Sequence, residues 1–209
     1  MSSPSVTSVV TPDRFAQGLS YAGFLEQITI NRDRFQQSYE TVPLTEADIA
    51  FFRKAKAHPR GPAKILALGE AWCGDVFREL PTGARIAEAT GMELRIFFRD
   101  QNPDIMDEFL LGEKKARAIP VFAFYSQDHQ FITYWQERSA SAYAGVAAAQ
   151  AIVKAEMNLP ASGPVPEEHK QAFLKAFIAR IEPNPVAWRV DAIQEMRAKL
   201  ANALNISNA

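Results

Sequence analysis

Cysteine is nearly absent from this sequence. Cys73 is the single cysteine among 209 residues, which excludes an intramolecular disulfide and a metal site made of cysteines alone. A lone thiol is typical of proteins in a reducing compartment. Residues 1–11 also lack the basic start and the long apolar run of a signal peptide. We therefore expect a cytoplasmic protein.

An excess of charge of one sign and long apolar runs are lacking as well. The chain carries 23 Lys and Arg residues against 24 Asp and Glu residues, so no overall attraction to nucleic acid or to an anionic membrane is expected. No segment approaches the roughly 18 apolar residues that a membrane-spanning helix needs. His58, His129 and His169 are not spaced as metal ligands, and no glycine-rich phosphate loop occurs. We expect no metal site, no nucleic-acid partner and no membrane partner.

Apolar runs and turn residues predict alternating strands and helices. Thr45 and Asp48 form a capping signal for a helix that ends at the breaker run 58–62. The elements that follow are strand 63–69, helix 75–90, strand 92–98, a short helix 104–111, strands 121–125 and 131–135, and helix 139–159. Strands joined by a helix are parallel, whereas the tight turn before residue 131 indicates an antiparallel hairpin. The sequence thus predicts an α/β domain with a mixed central sheet flanked by helices.

Helical patterns also occur at both ends of the chain. Residues 1–12 are expected to form a loose arm, followed by one or two helices in residues 13–40. At the C-terminal end the pattern predicts a linker, a helix, a breaker run and a second helix, over residues 160–166, 167–181, 182–185 and 185–204. We expect three parts: an N-terminal arm and helical extension over 1–44, the main domain over 45–159, and a C-terminal helical extension packed on it over 160–209.

Four local features occur in an order that resembles the thioredoxin superfamily. Trp72-Cys73-Gly74-Asp75 follows the first predicted strand and opens a helix, where members of the superfamily have Trp-Cys-Gly-Pro-Cys. The run Asp100-Gln101-Asn102-Pro103 follows the next strand, and Ile119-Pro120, approached by the charged run 112–117, opens the hairpin. The Trp-Cys-Gly-Asp motif most resembles a bacterial thioredoxin-like family without the second motif cysteine. The resemblance covers about residues 63–158, or 45–158 with the preceding helix.

The resemblance implies a thioredoxin-like fold with extra N- and C-terminal helices. It also implies a cis bond before Pro120, where an extended peptide or a glutathione would lie beside the sulfur of Cys73. A cysteine at a helix start faces unpaired N–H groups and the positive end of the helix dipole, which favour the nucleophilic thiolate. The implied site has Cys73 as the catalytic thiol, with substrate-binding positions at Trp72, Gly74, Asp75, Ile119 and Pro120.

The sequence departs from the superfamily pattern at positions that support the thiol. Val76 stands where dithiol enzymes have their resolving cysteine, and Ala67 stands where they have a buried carboxylate. Any exchange must therefore take its second sulfur from another protein or from a small thiol. The charges of Asp75 and Glu70 would oppose thiolate formation and Arg99 would offset them, so the direction of the shift in the thiol pKa stays open.

Structural roles compete with functional roles at these positions. Cys73 can be a small packed residue, Trp72 a rim aromatic that packs on the hairpin, and Pro120 a fixed turn. Asp75 is more typical of a charge at a helix start than of an acid–base group. The pair Arg99-Asp100 is more typical of a structural ion pair or loop cap.

Three functions remain open. The first is a monothiol thiol–disulfide oxidoreductase in which Cys73 attacks a protein or low-molecular-weight disulfide, with glutathione or another small thiol as co-substrate and no other cofactor. The second is a redox-inactive binding or scaffold protein that holds an extended partner segment near Pro120, which the residues Val76 and Ala67 favour. In that case the C-terminal helices could form a homodimer or a partner surface. The third is a peroxide-reactive thiol that forms a sulfenic acid at Cys73.

Overall fold

A four-stranded sheet forms the centre of the computed structural model, which describes residues 8–181 and 185–208. Its strands are β1 (Lys64–Gly69), β2 (Glu93–Phe98), β3 (Val121–Tyr125) and β4 (Phe131–Gln136), in the spatial order β2-β1-β3-β4. β1 pairs in parallel with β2 and antiparallel with β3, and β3 and β4 form an antiparallel hairpin. β1 is buried along its whole length, as its apolar run predicts for a central strand. The predicted mixed sheet is confirmed.

Three short helices precede the sheet: α1 (Pro12–Ala16), α2 (Tyr21–Gln27) and α3 (Arg32–Glu40). Each contributes one fully buried phenylalanine to the common core, namely Phe15, Phe24 and Phe35. The prediction of one or two helices here is wrong in number, because the chain breaks twice. Leu19 leaves the helical path to pair with Ile96 on β2, and Asn31 takes a left-handed conformation with φ of 58° before α3.

The start of the described chain is also more ordered than predicted. The predicted loose arm is wrong over residues 8–12, because Val10 is buried and Thr11 caps α1 with its side chain. The backbone N–H of Val9 donates to Glu108 Oε1 at 2.6 Å. The rest of the predicted arm, residues 1–7, lies outside the described residues.

The helix α4 (Glu46–Ala57) follows the predicted capping signal. Thr45 and Asp48 form the reciprocal capping box, and the helix ends at His58. The prediction is confirmed at both ends because these signals act within one turn of the helix.

The crossover from β1 to β2 is made by α5 (Gly74–Thr90), with Cys73 as its N-cap residue. The helix ends at Gly91 in the left-handed conformation with φ of 68°, where glycine has no Cβ penalty. The predicted helix 75–90 is confirmed. Cys73 lies directly before its first turn and four residues after the end of β1.

The remaining helices are α6 (Pro103–Met106), α7 (Ala140–Glu156), α8 (Lys170–Ile181) and α9 (Pro185–Leu204). The short helix predicted over 104–111 is wrong in length, because the chain leaves α6 for a 3-10 turn over 107–109. Both predicted C-terminal helices are present; the part of the breaker run at 182–184 lies outside the described residues. The division of the chain into three parts stays a prediction.

The two C-terminal helices differ in how they pack. α9 lies against β4, α4 and α5 and buries Ile193, Met196 and Leu200 completely. α8 packs mainly on α7 and buries none of its residues. Within residues 8–181 and 185–208, no helix combines the length and apolarity needed to cross a bilayer.

Candidate active site

Cys73 lies where β1 passes into α5. β1 ends at Gly69, and a short turn returns the Cys73 N–H to the carbonyl of Glu70 at 3.2 Å. The Cys73 carbonyl then accepts from the N–H groups of Val76 and Phe77 and so starts the helix. Cys73 is a free cysteine of intermediate exposure, and this junction places it at the positive end of a 17-residue helix.

The turn before β3 faces this thiol. The peptide bond between Ile119 and Pro120 is cis. The Sγ of Cys73 lies 3.9 Å from the carbonyl oxygen of Ile119, in the range of a weak S–H donation. The structure therefore brings Cys73, Ile119 and Pro120 together, as the resemblance to the thioredoxin superfamily implies.

Trp72 forms one side of the site. Its side chain is 53% exposed, and the guanidinium of Arg99 lies 5.0 Å from the centre of its ring. Arg99 also pairs with Asp100 at 2.7 Å, the structural ion pair that the sequence favoured. Arg99 offsets one of the two acidic charges as predicted, since its charge opposes the rise that burial causes in the pKa of Glu70, whereas the cation that acts on Cys73 is Arg138.

The side chain of Glu70 binds the start of the loop after β2. Its Oε1 accepts the backbone N–H of Asp100 at 2.9 Å, which joins the ends of β1 and β2. Burial, together with the charge of Asp100, raises the pKa of Glu70. Glu70 thus holds two loops together beside the site.

Asp75 lies between two arginines. Its Oδ1 accepts from Arg78 one turn along α5, and its Oδ2 pairs with the guanidinium of Arg138 at 2.5 Å. The side chain of Asp75 is only 11% exposed. Both carboxylate oxygens are therefore engaged by cations, as suits a structural charge at the helix start rather than an acid–base group.

The thiol is held largely in its protonated form. Burial raises the pKa of Cys73, and the Asp75 carboxylate adds to the rise. The N–H groups of Val76 and Asp75 and the guanidinium of Arg138 act in the opposite direction without cancelling it. The structure thus gives the direction that the sequence left open, and it is upward.

The two departures from the superfamily pattern are buried in the core. Val76 and Ala67 are both 0% exposed, and Val76 packs so closely on the end of β1 that a Cβ at Gly69 would lie 2.7 Å from its Cγ1. Both positions are thus part of the apolar core. Among the residues described, no group of three or more His, Cys, Asp or Glu side chains could hold a metal ion.

Arg138 and Glu137 are site residues that sequence reasoning missed. They directly follow β4, whose last residue Gln136 pairs with Val121 at the start of β3. The available signal was the hairpin, because antiparallel pairing returns the chain after β4 to the turn before β3. The sequence predicted this hairpin, but its consequence for residue 138 depends on register.

Comparisons with known proteins agree with this geometry at the level of the fold. A family model described as Thioredoxin matches residues 18–151. No curated protein matches the chain. A solved protein of unknown function from Pseudomonas aeruginosa is 19% identical, with a TM-score of 0.53 over 81% of this chain and 95% of its own. An HIV epitope-scaffold protein is 16% identical, with a TM-score of 0.55 over 90% of this chain and 95% of its own.

Both solved structures share the fold alone with this chain at such identities. The family model, in contrast, covers more than half of the sequence and includes β1, the Cys73 junction, α5 and the turn before β3. The chain belongs to the thioredoxin family.

Proposed function

We propose that this protein is a monothiol thiol–disulfide oxidoreductase of the cytoplasm that uses Cys73. It belongs, in this proposal, to a bacterial group with the Trp-Cys-Gly-Asp motif and no second motif cysteine. The observation that carries the proposal is the position of Cys73, a residue of intermediate exposure at the start of α5, with its Sγ 3.9 Å from the Ile119 carbonyl before the cis Pro120. The helix start favours ionisation of the sulfur. The turn at Pro120 supplies backbone beside the sulfur, against which a substrate disulfide can be aligned for attack.

The reaction takes place in two exchanges. The Cys73 thiolate attacks one sulfur of a substrate disulfide, the Cys73–substrate S–S bond forms, and the second substrate sulfur leaves as a thiolate that takes up a proton. A low-molecular-weight thiolate, such as that of glutathione, then attacks the mixed disulfide on the substrate-derived sulfur. Cys73 leaves as a thiolate, and the small thiol and the substrate fragment are joined by the new disulfide.

The buried surroundings of the thiol affect the two steps differently. A raised pKa of Cys73 makes the thiolate scarce at neutral pH but intrinsically more nucleophilic. The same property makes Cys73 a poorer leaving group, because thiols of lower pKa leave faster. The mixed disulfide on Cys73 is therefore expected to be long-lived, which suits a protein whose resolving thiol arrives from outside.

A redox-inactive binding protein is the second candidate, in which the face beside Pro120 holds an extended partner segment. The observation in its favour is the same upward shift of the Cys73 pKa, together with the donation from the thiol to Ile119. A homodimer formed through the C-terminal helices is compatible with either function.

Alkylation of the native protein as a function of pH tests the proposal. We expect iodoacetamide to label Cys73 without denaturant, slowly near neutral pH and faster as pH rises. The Cys73→Ser protein has no cysteine and measures background labelling. The double variant Cys73→Ser with Ser162→Cys is the matched control, because it moves the single thiol to an exposed residue of the linker. Labelling of Cys73 only after denaturation would contradict the proposal.

Glutathione disulfide then separates exchange from binding. The oxidoreductase predicts that Cys73 gains one glutathionyl group and loses it when reduced glutathione is added, with release of glutathione disulfide. A thiol that is alkylated but never forms this mixed disulfide would overturn the oxidoreductase and leave the binding function.

A further inference from the structure

The carboxylate nearest to the thiol along α5 is held by a residue that directly follows the edge strand β4. Arg138 reaches Asp75 Oδ2 with one nitrogen, at 2.5 Å, and Glu137 Oε1 with another, at 2.8 Å. Its side chain is 25% exposed. A guanidinium can bind two carboxylates at once because its N–H groups are fixed in a planar fork.

Glu137 ties the same arginine to the turn that faces the sulfur. Its N–H donates to the carbonyl of Pro120 at 2.7 Å, and its Oε2 accepts the hydroxyl of Tyr143 on α7. Glu137 takes the left-handed conformation with φ of 61°, which is uncommon for a residue other than glycine. This conformation directs successive residues to two different neighbours: Pro120 and Asp75.

We propose that Arg138 is a positioning residue of the Cys73 site, which holds the Asp75 carboxylate against its own guanidinium and ties the start of α5 to the Pro120 turn. The proposal rests on the proposed function for its purpose, since a held carboxylate matters most when the sulfur must ionise.

The charges around the sulfur explain why such a residue is needed. Asp75 on α5 and Arg138 after β4 are the charged groups that act on the thiol. Arg78 on α5 pairs with Asp75, Glu137 pairs with Arg138, and Tyr143 on α7 donates to Glu137. An unpaired carboxylate on the first turn of α5 would oppose the negative charge of a thiolate. The guanidinium of Arg138 offsets the negative charge of Asp75 by direct contact with its Oδ2 atom.

The pH profile of Cys73 alkylation tests this role, with two substitutions that act in opposite directions. Arg138→Gln leaves Asp75 less compensated, so we expect alkylation near pH 8 to slow by about threefold or more, equivalent to about half a pH unit in the profile. Asp75→Asn removes the opposing charge and leaves the cation, so we expect faster alkylation at the same pH. If Arg138 had a purely structural role, the two substitutions would not change the alkylation rate in opposite directions.

A double-mutant cycle and two further variants complete the test. In the Arg138→Gln/Asp75→Asn protein, the profile is expected to return toward that of the wild type, because the charge that needed compensation is gone. Arg138→Lys is expected to restore part of the rate, and Arg180→Gln, at an exposed ion pair on α8, to leave it unchanged. An unaltered profile in both Arg138→Gln and Asp75→Asn would overturn the proposal.

The outcomes for this proposal and for the proposed function are distinguishable. The alkylation profile is measured on the free thiol and requires no disulfide substrate. A protein that shows the opposed shifts but exchanges no glutathione retains the role of Arg138 and loses the oxidoreductase. If Cys73 exchanges glutathione but the alkylation profiles of the Arg138 and Asp75 variants match that of the wild type, the oxidoreductase is retained and the role of Arg138 is lost.

Discussion

The pKa of Glu79 on α5 depends on its burial and on the charged residues around it. Its side chain is fully buried, and its Oε1 accepts from Arg78 Nε at 3.1 Å. In the described part of the chain its Oε2 has no hydrogen-bond partner. Burial raises the pKa of Glu79 to about 7, against the attraction of Arg78 and of Arg189 on α9. The carboxyl group is therefore partly protonated near neutral pH.

The raised pKa of Glu79 predicts that the free energy of unfolding falls as pH rises. The pKa of Glu79 increases from 4.5 to about 7 on folding, so the folded state binds more protons than the unfolded state between these values. The free energy of unfolding therefore decreases as pH rises from about 4.5 to about 7, by on the order of 3 kcal/mol for this group. We expect Glu79→Gln to remove most of this decrease.

Urea unfolding of both proteins at about pH 5 and about pH 8 measures the effect. The raised pKa of Glu70 acts in the same direction and the lowered pKa of His129 in the opposite one. Both groups are retained in the variant, so the difference between the two proteins isolates Glu79. Equal pH dependence in wild type and Glu79→Gln would refute the assignment.

At the scale of elements, the contact between α5 and the sheet depends on a missing side chain. A Cβ at Gly83 would lie 2.4 Å from Cε1 of Phe122 on β3, and Phe122 is fully buried. At residue 83 the helix can therefore approach Phe122 on β3 this closely only because glycine has no side chain. Gly74, in contrast, opens the same helix with its nearest neighbour 3.7 Å away, at Phe77.

Alanine at these two glycines is expected to give opposite results. Gly83→Ala gains helix propensity of about 1 kcal/mol but forces Phe122 from its position, so we expect a net loss of about 1–3 kcal/mol. Gly74→Ala meets only ordinary van der Waals contact and is expected to be neutral or slightly stabilising. Chemical denaturation measures both, and equal stability of the two variants would show that α5 adjusts freely on the sheet.

At the scale of the whole molecule, α9 connects elements that are distant in the chain. Arg197 pairs with Asp48 on α4 at 2.8 Å, with side chains 10% and 3% exposed. Arg189 donates to the carbonyl of Ser38 at 2.7 Å, and the ring of Trp188 lies 5.1 Å from the guanidinium of Arg78. The last helix is therefore part of the packing around α5.

Loss of the Arg197 pair is predicted to destabilise the whole fold. Arg197→Met leaves the buried carboxylate of Asp48 without its cation, which costs about 3 kcal/mol. Arg180→Met is the matched control, because its pair with Glu156 is largely exposed and such pairs contribute about 1 kcal/mol or less. Urea midpoints compare the two. A loss confined to α9, with unfolding of the sheet unchanged, would contradict this connection.

Local signals in the sequence determined the order of the elements and the place of the thiol. The capping box at Thr45, the apolar run of β1 and the glycine that ends α5 act within a few residues, so they can be identified without a structure. The motif at Cys73 likewise indicated the helix start and the facing Pro120. The number of N-terminal helices was less accessible, because the break between α1 and α2 lies where Leu19 pairs with Ile96 on β2, a contact between residues distant in the sequence.

Tertiary structure alone decided what surrounds the thiol. Burial of Cys73 sets the direction of its pKa shift, and the cation beside Asp75 is Arg138 rather than a residue near in sequence. Full burial of Glu79 likewise depends on where α9 packs. Periodicity and capping are properties of neighbouring residues, whereas desolvation and ion pairing are summed over all the elements that meet at one point.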